Sequence, residues 1–481
     1  MAFGTNGDVY PIAAIAAAFA CDQRRYEVVF VTHSAHENLA ARLTEKDIEY
    51  ALVSSPPVLS PTENDDTKGS CASSFSMRKS IITKEHRREC FLVMERFFGV
   101  GRPSKEGDFV VINFFALEGW NLAELFCIRC VVAAPYVVPY SAPSSFERQF
   151  RQELPLLYKY FKEAPVSKIC WNDVIHWMWP LFTEDWGSWR DELKLSRWPF
   201  TDPVTGLPMW HERPISPLLL YGFSREVVEC PDYWPSNARV CGFWFLPQEW
   251  QFSCNSCKNN FDSLPFEWQE TKGELCLVHT GIHSFLKFCK SMPLVFVGLS
   301  SIGSMGFLRN PWAFLHILRA VVDITKYRFI LFSSGCELLE SAIRVIATEE
   351  YSSLDQQEIS KDGHTLFCGR LFCFFGSIPY IWLFRQCAAA IHHGGSGSTA
   401  AALHAGIPQV LCPFILDQFY WAERMFWLGV APEPLKRNHL LPEQIRARAQ
   451  EISERISLED GVHEAVRILR EEMGCPATSE N

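Results

Sequence analysis

The sequence lacks the features that mark several classes of protein. None of its apolar runs reaches the roughly 18 residues that a membrane-spanning helix needs, because residues such as Arg129, Pro135 and Gly376 interrupt the longest ones. Clusters of lysine and arginine are also missing, and the formal net charge is −10. Since phosphate backbones are bound by clustered positive charge, no nucleic-acid partner is expected.

The 18 cysteines do not follow the spacing of a disulfide framework, and no secretory signal opens the sequence. Free thiols in a reducing compartment are therefore expected. Only Cys127–Cys130 and Cys254–Cys257 form Cys-x-x-Cys pairs, and neither pair has a further cysteine or histidine close by in the sequence. The sequence thus favours free thiols over a zinc site at both pairs.

The length predicts more than one domain. With 481 residues, of which 48% are hydrophobic and 21% charged, the chain can fill two ordered cores. Runs typical of strands alternate with helical segments in both halves, which predicts parallel sheets covered by helices on both faces. A polar segment broken by prolines separates the halves. We predict a first domain at 1–246, a linker at 247–273, a second domain at 274–440 and terminal helices at 441–481.

The chain starts with a glycine turn that follows a very short strand. Only Met1–Phe3 precede Gly4, and a helix led by Pro11 follows the turn. A parallel strand of three residues would leave its neighbours short of hydrogen-bonding partners. We therefore expect an alternative start or a clipped gene model. Asp8 lies in this turn, where an aspartate is well suited to cap the helix.

A second glycine turn, HHGGSGST at 392–399, follows the apolar run Ala388–Ile391, which is typical of a buried strand. Its serines and threonine are residues that cap helix N-termini, and the following AAALHA favours a helix. The backbone N–H groups of such a turn and the start of the next helix together bind anions such as phosphate. His393 is placed to donate a ring N–H to the same oxygens.

The next strand, Gln409–Cys412, leads to Asp417 and Gln418. Open α/β sheets gather their functional loops at the carboxyl ends of their strands, so this pair is expected beside the glycine turn. The pair offers acceptors and a donor that suit the hydroxyls of a sugar ring. The residues alone therefore predict a ligand that carries both phosphate and hydroxyl groups.

The stretch 392–424, HHGGSGSTAAALHAGIPQVLCPFILDQFYWAER, resembles the donor signature of the sterol 3-beta-glucosyltransferases. That signature is HHGGAGTTAAGLRAG, a proline-led strand and PFFGDQPFWGER. The turn GTNGDVYP at 4–11 is similar to the family's GTRGDVQP, and the segment 217–246 resembles its PxLYGFSxxVVxxPxDWPxxxxVTGFWFL. This family belongs to the nucleotide-sugar glycosyltransferases of plant type.

The resemblance implies an α/β protein of the GT-B fold, with two Rossmann-like, doubly wound domains facing a cleft. The first domain would bind an acceptor and the second a UDP-sugar, with the terminal helices crossing back to the first domain. The implied reaction is an inverting transfer of glucose from UDP-glucose to the 3-beta-hydroxyl of a sterol or related lipid alcohol. No metal or other cofactor is expected, and the chain has no Asp-x-Asp pair. A cytoplasmic location, with or without peripheral contact with membranes, is expected.

The resemblance also assigns roles to residues of this sequence. Asp8 corresponds to the general base that takes the proton of the acceptor hydroxyl. The residues that match the family's donor-binding positions are Ser301, His393, Gly395, Ser396, Gly397, Ser398, Thr399, Asp417 and Gln418.

Simpler structural roles remain open for several of these residues. Asp8 could act only as a helix cap, and His393 could be a buried core histidine at a strand end. The tryptophans between 171 and 189 suit a wide apolar acceptor cleft and ordinary core packing equally well. His392 is expected to be the structural member of the histidine pair.

Other functions remain open as well. A dinucleotide-dependent oxidoreductase shares glycine turns before helices, but neither turn here gives the full G-x-G-x-x-G pattern with its acidic residue. A non-catalytic homologue that binds lipid or nucleotide sugar stays open because of the short first strand and departures from the family motifs, although the retained Asp8, His393 and Asp417–Gln418 pair favour catalysis. Those departures are Asn6, Tyr10, Ser300, Tyr380 and Ile381. A triterpenoid or another lipid could also replace the sterol.

Overall fold

The structure, a computed structural model, describes residues 1–58, 71–99, 107–140, 142–184, 186–196, 214–231, 234–252, 254–262, 275–276, 279–287, 291–298, 305, 308, 310–351, 362–432 and 442–474. These residues form two compact units. The first unit extends to residue 245 and takes up the chain again at 459, and the second unit covers 246–458. This part of the second unit begins at Leu246, which is the last residue of the predicted first domain.

The strands of the described residues are β1 (Val28–His33), β2 (Ile48–Val53), β3 (Phe109–Ile112), β4 (Arg129–Ala134), β5 (Leu218–Tyr221), β6 (Ala238–Val240), β7 (Leu294–Gly298), β8 (Arg328–Phe332), β9 (Gly363–Leu366), β10 (Leu371–Phe374), β11 (Ala389–His392) and β12 (Gln409–Leu411). The helices are α1 (Asn6–Asp22), α2 (Ala40–Thr44), α3 (Cys71–Phe98), α4 (Leu117–Phe126), α5 (Phe146–Glu153), α6 (Pro155–Lys162), α7 (Trp171–Asp173), α8 (Trp179–Thr183), α9 (Gly187–Glu192), α10 (Asn255–Asp262), α11 (Thr280–Lys287), α12 (Pro311–Ile324), α13 (Glu337–Tyr351), α14 (Tyr380–Phe384), α15 (Ser396–His404), α16 (Gln418–Trp427), α17 (Pro442–Ile456) and α18 (Gly461–Met473). A π-helical turn, Val174–Met178, joins α7 to α8.

The first unit is built on parallel strands. β1 pairs with β2, and β3, β4, β5 and β6 form a second ladder in that order. Met1–Phe3 lie between β1 and β3, because the Ala2 N–H donates to the Val31 carbonyl at 2.9 Å and the Met1 amine donates to the Val111 carbonyl at 2.8 Å. These three residues therefore form hydrogen bonds with both β1 and β3, although they do not form a regular strand.

A cavity of about 550 Å³ lies in this unit. Its lining comes from α1, from the facing strands β1 and β3, and from Met1. None of the predicted site residues in the described part of the chain lines it.

The second unit contains a six-stranded sheet in the order β12-β11-β7-β8-β10-β9. The strands run parallel except β9, which pairs antiparallel with β10. One face packs against α12 and α13 through residues such as Leu315 and Ile343. On the sheet's other face, Phe296 and Phe332 contact Tyr380 of α14 at ring distances of 5.2 and 5.8 Å. Helices thus cover both faces, as predicted for a parallel sheet.

The two terminal helices belong to different units. In the second unit, α17 packs on α15, where the Ser453 hydroxyl donates to the His404 carbonyl at 2.6 Å. In the first unit, α18 packs on α1 and pairs Arg470 with Asp22 at 3.6 Å. The Trp244 indole also donates to the Gly461 carbonyl at 3.0 Å. The chain therefore returns to its first unit between α17 and α18.

Within the described ranges, the structure contains no helix that is both long and apolar enough to span a membrane.

Candidate functional site

The glycine turn of the second unit joins β11 to α15. β11 ends at His392, which is buried, and Gly395 is the residue directly before the helix. Gly394 has φ +84°, and a Cβ there would lie 3.2 Å from the Gln418 carbonyl oxygen. Only glycine fits such a turn without strain. The sequence therefore folds locally as predicted, with the helix starting inside the motif.

His392 holds the turn together by hydrogen bonds on both ring nitrogens. Its Nδ1 accepts from the Gly394 N–H at 3.1 Å, and its Nε2 lies 2.9 Å from the Gln409 side-chain oxygen. Because Nδ1 accepts, Nε2 carries the proton and donates to Gln409. Burial lowers the pKa of His392 to about 3. This histidine is a structural element of the turn.

Replacing His392 with alanine should therefore reduce stability. The buried Gln409 oxygen would lose its donor, which costs about 1–3 kcal/mol. Urea denaturation should show a lower unfolding midpoint for the variant. His463, which is exposed on α18, offers a matched control, and His463→Ala should leave the midpoint unchanged. An unchanged midpoint in His392→Ala would contradict the structural role.

His393 differs from its neighbour because its Nδ1 is buried and has no hydrogen-bond partner in the described structure. Burial lowers the pKa of His393 to about 4, so the ring is neutral at pH 7. A Cβ on Gly395 would lie only 2.4 Å from its Nε2, so the ring packs directly against that glycine. A neutral histidine carries one N–H donor, and here it stands beside the start of α15.

The start of α15 leaves backbone donors available. The Thr399 N–H bonds to the Gly395 carbonyl at 3.0 Å, so the N–H groups of the preceding residues of the helix lack intrahelical acceptors. Thr399 is fully buried, Ser398 is nearly so, and Gly397 is exposed. Ser396 lies half-buried at the first helical position. The arrangement has the donors and the dipole of an anion site.

Asp417 and Gln418 follow β12 at the start of α16, and both are buried. The Asp417 carboxylate accepts from the Trp421 indole at 2.8 Å. The Gln418 side-chain oxygen accepts from the N–H groups of Phe414 and Ile415 at 2.9 and 3.1 Å, which leaves its NH₂ group as the donor for a ligand. Because β11 and β12 are adjacent, the structure brings Gln418 beside Gly394.

Asp8 lies in the first turn of α1, where it forms a capping box with Thr5. The backbone N–H and the hydroxyl of Thr5 both donate to Asp8 Oδ2, at 2.7 and 2.8 Å. Burial raises the pKa of the Asp8 carboxyl to about 6, although the bonds from Thr5 oppose the rise. A Cβ on Gly4, whose φ is +105°, would lie 2.6 Å from Oδ2. The glycine thus makes room for the carboxylate.

Sequence reasoning missed a buried polar chain that starts at the end of β1. His33 Nδ1 lies 3.1 Å from the Ser55 hydroxyl, which lies 2.7 Å from His86 Nδ1. His86 in turn faces Glu118 at 3.7 Å. Burial lowers the pKa of His33 to about 4, with His86 adding to the effect. His33 directly follows an apolar run in the sequence, and that position was the available signal. Ser55 follows β2, His86 lies in α3 and Glu118 lies in α4.

The remaining predicted features lie elsewhere. Ser301 and Ser300 fall outside the described residues. Tyr380 stacks on Phe384 with ring centroids 5.1 Å apart, and Ile381 is buried.

The tryptophans between 171 and 189 pack in the core of the first unit, and each is less than 10% exposed. They are Trp171, Trp177, Trp179, Trp186 and Trp189. Core packing therefore accounts for this group.

The expectation that neither Cys-x-x-Cys pair has a further cysteine or histidine nearby is wrong for one of the pairs. Cys254 and Cys257 do have partners, because Cys276 and His279 lie beside them in the folded chain. Cys127 is exposed at the end of α4 and Cys130 belongs to β4. The two Cys-x-x-Cys pairs are therefore different kinds of site.

Comparison with known proteins places this geometry in context. Residues 371–480 match a family model described as erythromycin biosynthesis protein CIII-like, C-terminal domain. Over 492 residues the chain is 22% identical to a sterol 3-beta-glucosyltransferase of Komagataella phaffii, with 98% of this chain and 34% of that protein covered. The chain is thus similar to a sterol 3-beta-glucosyltransferase over nearly its whole length. It spans about a third of the length of the curated relatives that it matches along its whole length.

Solved structures support the fold. The glycosyltransferase of kitacinnamycin superposes with a TM-score of 0.54 at 14% identity, over 97% of this chain and 96% of that one. The calicheamicin glycosyltransferase CalG4 gives 0.53 at 15% identity, over 98% and 97%. Together with two units of strands and helices, these likenesses confirm the predicted GT-B fold.

Proposed function

We propose that the chain transfers glucose from UDP-glucose to the hydroxyl of a sterol or related lipid alcohol, with inversion and without a catalytic metal. The observation that carries the proposal is the glycine turn of the second unit, which groups an unpartnered buried His393, open backbone donors and the Gln418 amide. These groups offer the hydrogen-bond donors that a diphosphate attached to a sugar requires. No Asp-x-Asp pair occurs in the sequence to hold a divalent ion.

In this proposal the diphosphate binds at the start of α15. The backbone N–H groups of Ser396, Gly397 and Ser398 and the positive end of the helix stabilise its charge. His393 donates its single ring N–H, and Gln418 and Asp417 hold the sugar hydroxyls. Donors that are oriented before the reaction stabilise the charge that develops on the leaving UDP.

Asp8 acts as the general base. Both bonds from Thr5 end on Oδ2, and Oδ1 takes no hydrogen bond from the described residues. The cap and the base can therefore coexist in one carboxylate. The acceptor oxygen forms a bond to the anomeric carbon as its proton passes to Oδ1, and the bond from that carbon to UDP breaks. A base with a pKa of about 6 is closer to the working pH than an ordinary aspartate.

The acceptor class rests on the names of the relatives, which act on sterols. The tryptophan group does not support it, because those side chains are core residues. A triterpenoid or another lipid alcohol stays the alternative acceptor.

A transfer assay with radiolabelled UDP-glucose and a mixed pool of sterols tests the proposal. We expect a labelled lipid product whose glycosidic bond is β by NMR, at the same rate with and without added Mg²⁺ or Mn²⁺. Failure to form product with sterols or triterpenoids, while calorimetry still detects UDP binding, would favour the non-catalytic alternative. Absence of UDP binding would remove the donor site itself.

The rate of transfer should depend on the protonation of Asp8. Since only the ionised carboxylate accepts a proton, kcat/KM should rise with pH through about 6 and then level off. The Thr5 hydroxyl lowers the pKa of Asp8, so Thr5→Val should move this limb to higher pH. A limb near pH 4 would mean that burial does not raise the pKa of Asp8. A limb unmoved by Thr5→Val would mean that another group controls the rate.

A further inference from the structure

Four metal-ligating side chains converge in the second unit, outside the glycine turn. They are Cys254, Cys257, Cys276 and His279, and their ligand atoms all lie within 4.8 Å of one another. Cys257 is fully buried, Cys276 and His279 are nearly so, and Cys254 is half-buried. Apolar packing alone does not explain why three thiols and an imidazole gather at one point of a protein core.

The distances match the edges of a tetrahedron around zinc. Cys254 Sγ lies 3.5 Å from Cys276 Sγ, and His279 Nδ1 lies 3.3 Å from Cys257 Sγ and 3.5 Å from Cys276 Sγ. Zinc–sulfur bonds of about 2.3 Å in a tetrahedral site place neighbouring sulfurs about 3.8 Å apart. A sulfur–nitrogen edge of the same site is about 3.5 Å long. The three observed edges lie within about 0.3 Å of these values, and all four ligand atoms lie within 4.8 Å of one another, so an ion needs only a small adjustment of the cluster.

The order of the ligands along the chain agrees with known zinc patterns. Cys254-x-x-Cys257 stands at the start of α10, and Cys276-x-x-His279 stands just before α11. Cys257 and Cys276 are 19 positions apart, within the range of zinc sites built from two such pairs. Two short ligand pairs at two helix starts meet at one point.

The surroundings orient these ligands. The Cys276 backbone N–H donates to Cys257 Sγ at 3.3 Å, which suits a thiolate sulfur. The His279 ring lies 5.9 Å from the ring of Phe374 in β10. The buried Asp362 accepts from the N–H of Ile282 in α11 at 3.2 Å. The hydrogen bond to Cys257 Sγ is of the kind that holds a metal ligand in position.

We propose that Cys254, Cys257, Cys276 and His279 bind a structural Zn²⁺ ion. Each of the three thiols releases its proton to solvent, and the sulfurs and the neutral imidazole Nδ1 donate electron pairs to the ion. Four protein ligands leave no open position, so the ion has a structural role rather than a catalytic one. It connects α10, at the start of the second unit, to α11 and through His279 to the sheet.

A disulfide explains the cluster less well. The sulfurs of Cys254 and Cys276 are 3.5 Å apart, against about 2.05 Å in a disulfide. A disulfide would also leave Cys257 and His279 without a role.

Metal analysis of the full-length chain tests the proposal. Protein expressed with zinc should contain about one zinc per chain, and X-ray absorption should show three sulfurs at about 2.3 Å and one nitrogen at about 2.0–2.1 Å. Protein exchanged into Co²⁺ should show sulfur-to-cobalt charge transfer and the intense visible bands of tetrahedral cobalt. Chelation should lower Tm by at least about 5 °C, because bound metal stabilises only the folded state.

Variants separate this site from adventitious binding. Cys257→Ala should lose the zinc, and His279→Cys should keep it, because a fourth thiolate is also a zinc ligand. Cys127→Ser, in the other Cys-x-x-Cys pair, should keep the full zinc content. If Cys257→Ala fails to fold, the cobalt spectra of the wild type and of His279→Cys show whether the metal binds at this cluster. The exchange of a nitrogen ligand for a sulfur ligand shifts the visible bands only if residue 279 is a ligand. Stoichiometry far below one zinc, a Cys254–Cys276 disulfide in mass spectra, or identical cobalt spectra would overturn the proposal.

Discussion

Asp8→Asn should lose sugar transfer and keep its fold. Without the carboxylate no group at this position can take the proton of the acceptor, and general-base catalysis is worth about 10²–10⁴-fold. Asparagine is nearly the same shape, and its side-chain oxygen can still accept both hydrogen bonds from Thr5. A steady-state assay with UDP-glucose and sterol should therefore show kcat lower by this factor, with the affinity for UDP unchanged.

The thermal stability of this variant separates catalysis from capping. Burial raises the pKa of Asp8 from 3.8 to about 6, so the folded state holds the proton more tightly than the unfolded chain does. By linkage, the ionised carboxylate reduces stability as pH rises from about 4 through 6, and that reduction is complete at pH 7. Asp8→Asn removes the charge, so its Tm at pH 7 should equal or exceed that of the wild type.

Asp323, exposed on α12, provides the matched control, and Asp323→Asn should leave both rate and Tm unchanged. A variant Asp8→Asn with normal turnover would exclude Asp8 as the base. A variant with lost turnover and a much lower Tm would mean that the carboxylate serves the fold rather than the reaction.

The sequence predicted the parts of the fold that local patterns encode. The apolar run before the second glycine turn forms β11 within a residue of the predicted position, whereas Met1–Phe3 before the first turn form no regular strand. The β9–β10 hairpin was not predicted. Its turn puts Phe367, Cys368 and Gly369 at positive φ, and phenylalanine and cysteine are not residues that signal such a turn. The turn joins the paired antiparallel strands β9 and β10.

The sequence predicted the parts of the candidate site whose residues lie close together in the chain. The glycine turn and the Asp417–Gln418 pair lie on neighbouring strands, so the rule for strand ends brings them together. Contacts between distant segments could not be predicted in the same way. The chain from His33 through Ser55 and His86 to Glu118 joins β1, the segment after β2, α3 and α4. The proposed zinc ligands belong to two pairs, and the folded chain brings Cys276 and His279 beside Cys254 and Cys257.

Gly395→Ala should weaken donor binding strongly while leaving the fold intact. Gly395 has φ −63°, an ordinary value for any residue, so alanine introduces no backbone strain. Its Cβ would, however, lie 2.4 Å from His393 Nε2, and the buried ring has to move. A displaced ring no longer aims its N–H at the diphosphate. Loss of a hydrogen bond to a charged group is worth about 1.5–3 kcal/mol, so the Kd for UDP should rise about 10- to 100-fold.

A double-mutant cycle assigns this effect to His393. His393→Ala should raise the Kd for UDP by a similar factor, because it removes the same donor. If the alanine at 395 acts only by moving the ring, then adding Gly395→Ala to His393→Ala should cost little more. Calorimetry on the wild type, both single variants and the double variant measures the coupling. Fully additive losses would show that Gly395→Ala acts on the backbone donors of α15 instead, and an unchanged Kd in His393→Ala would leave His393 as a core histidine.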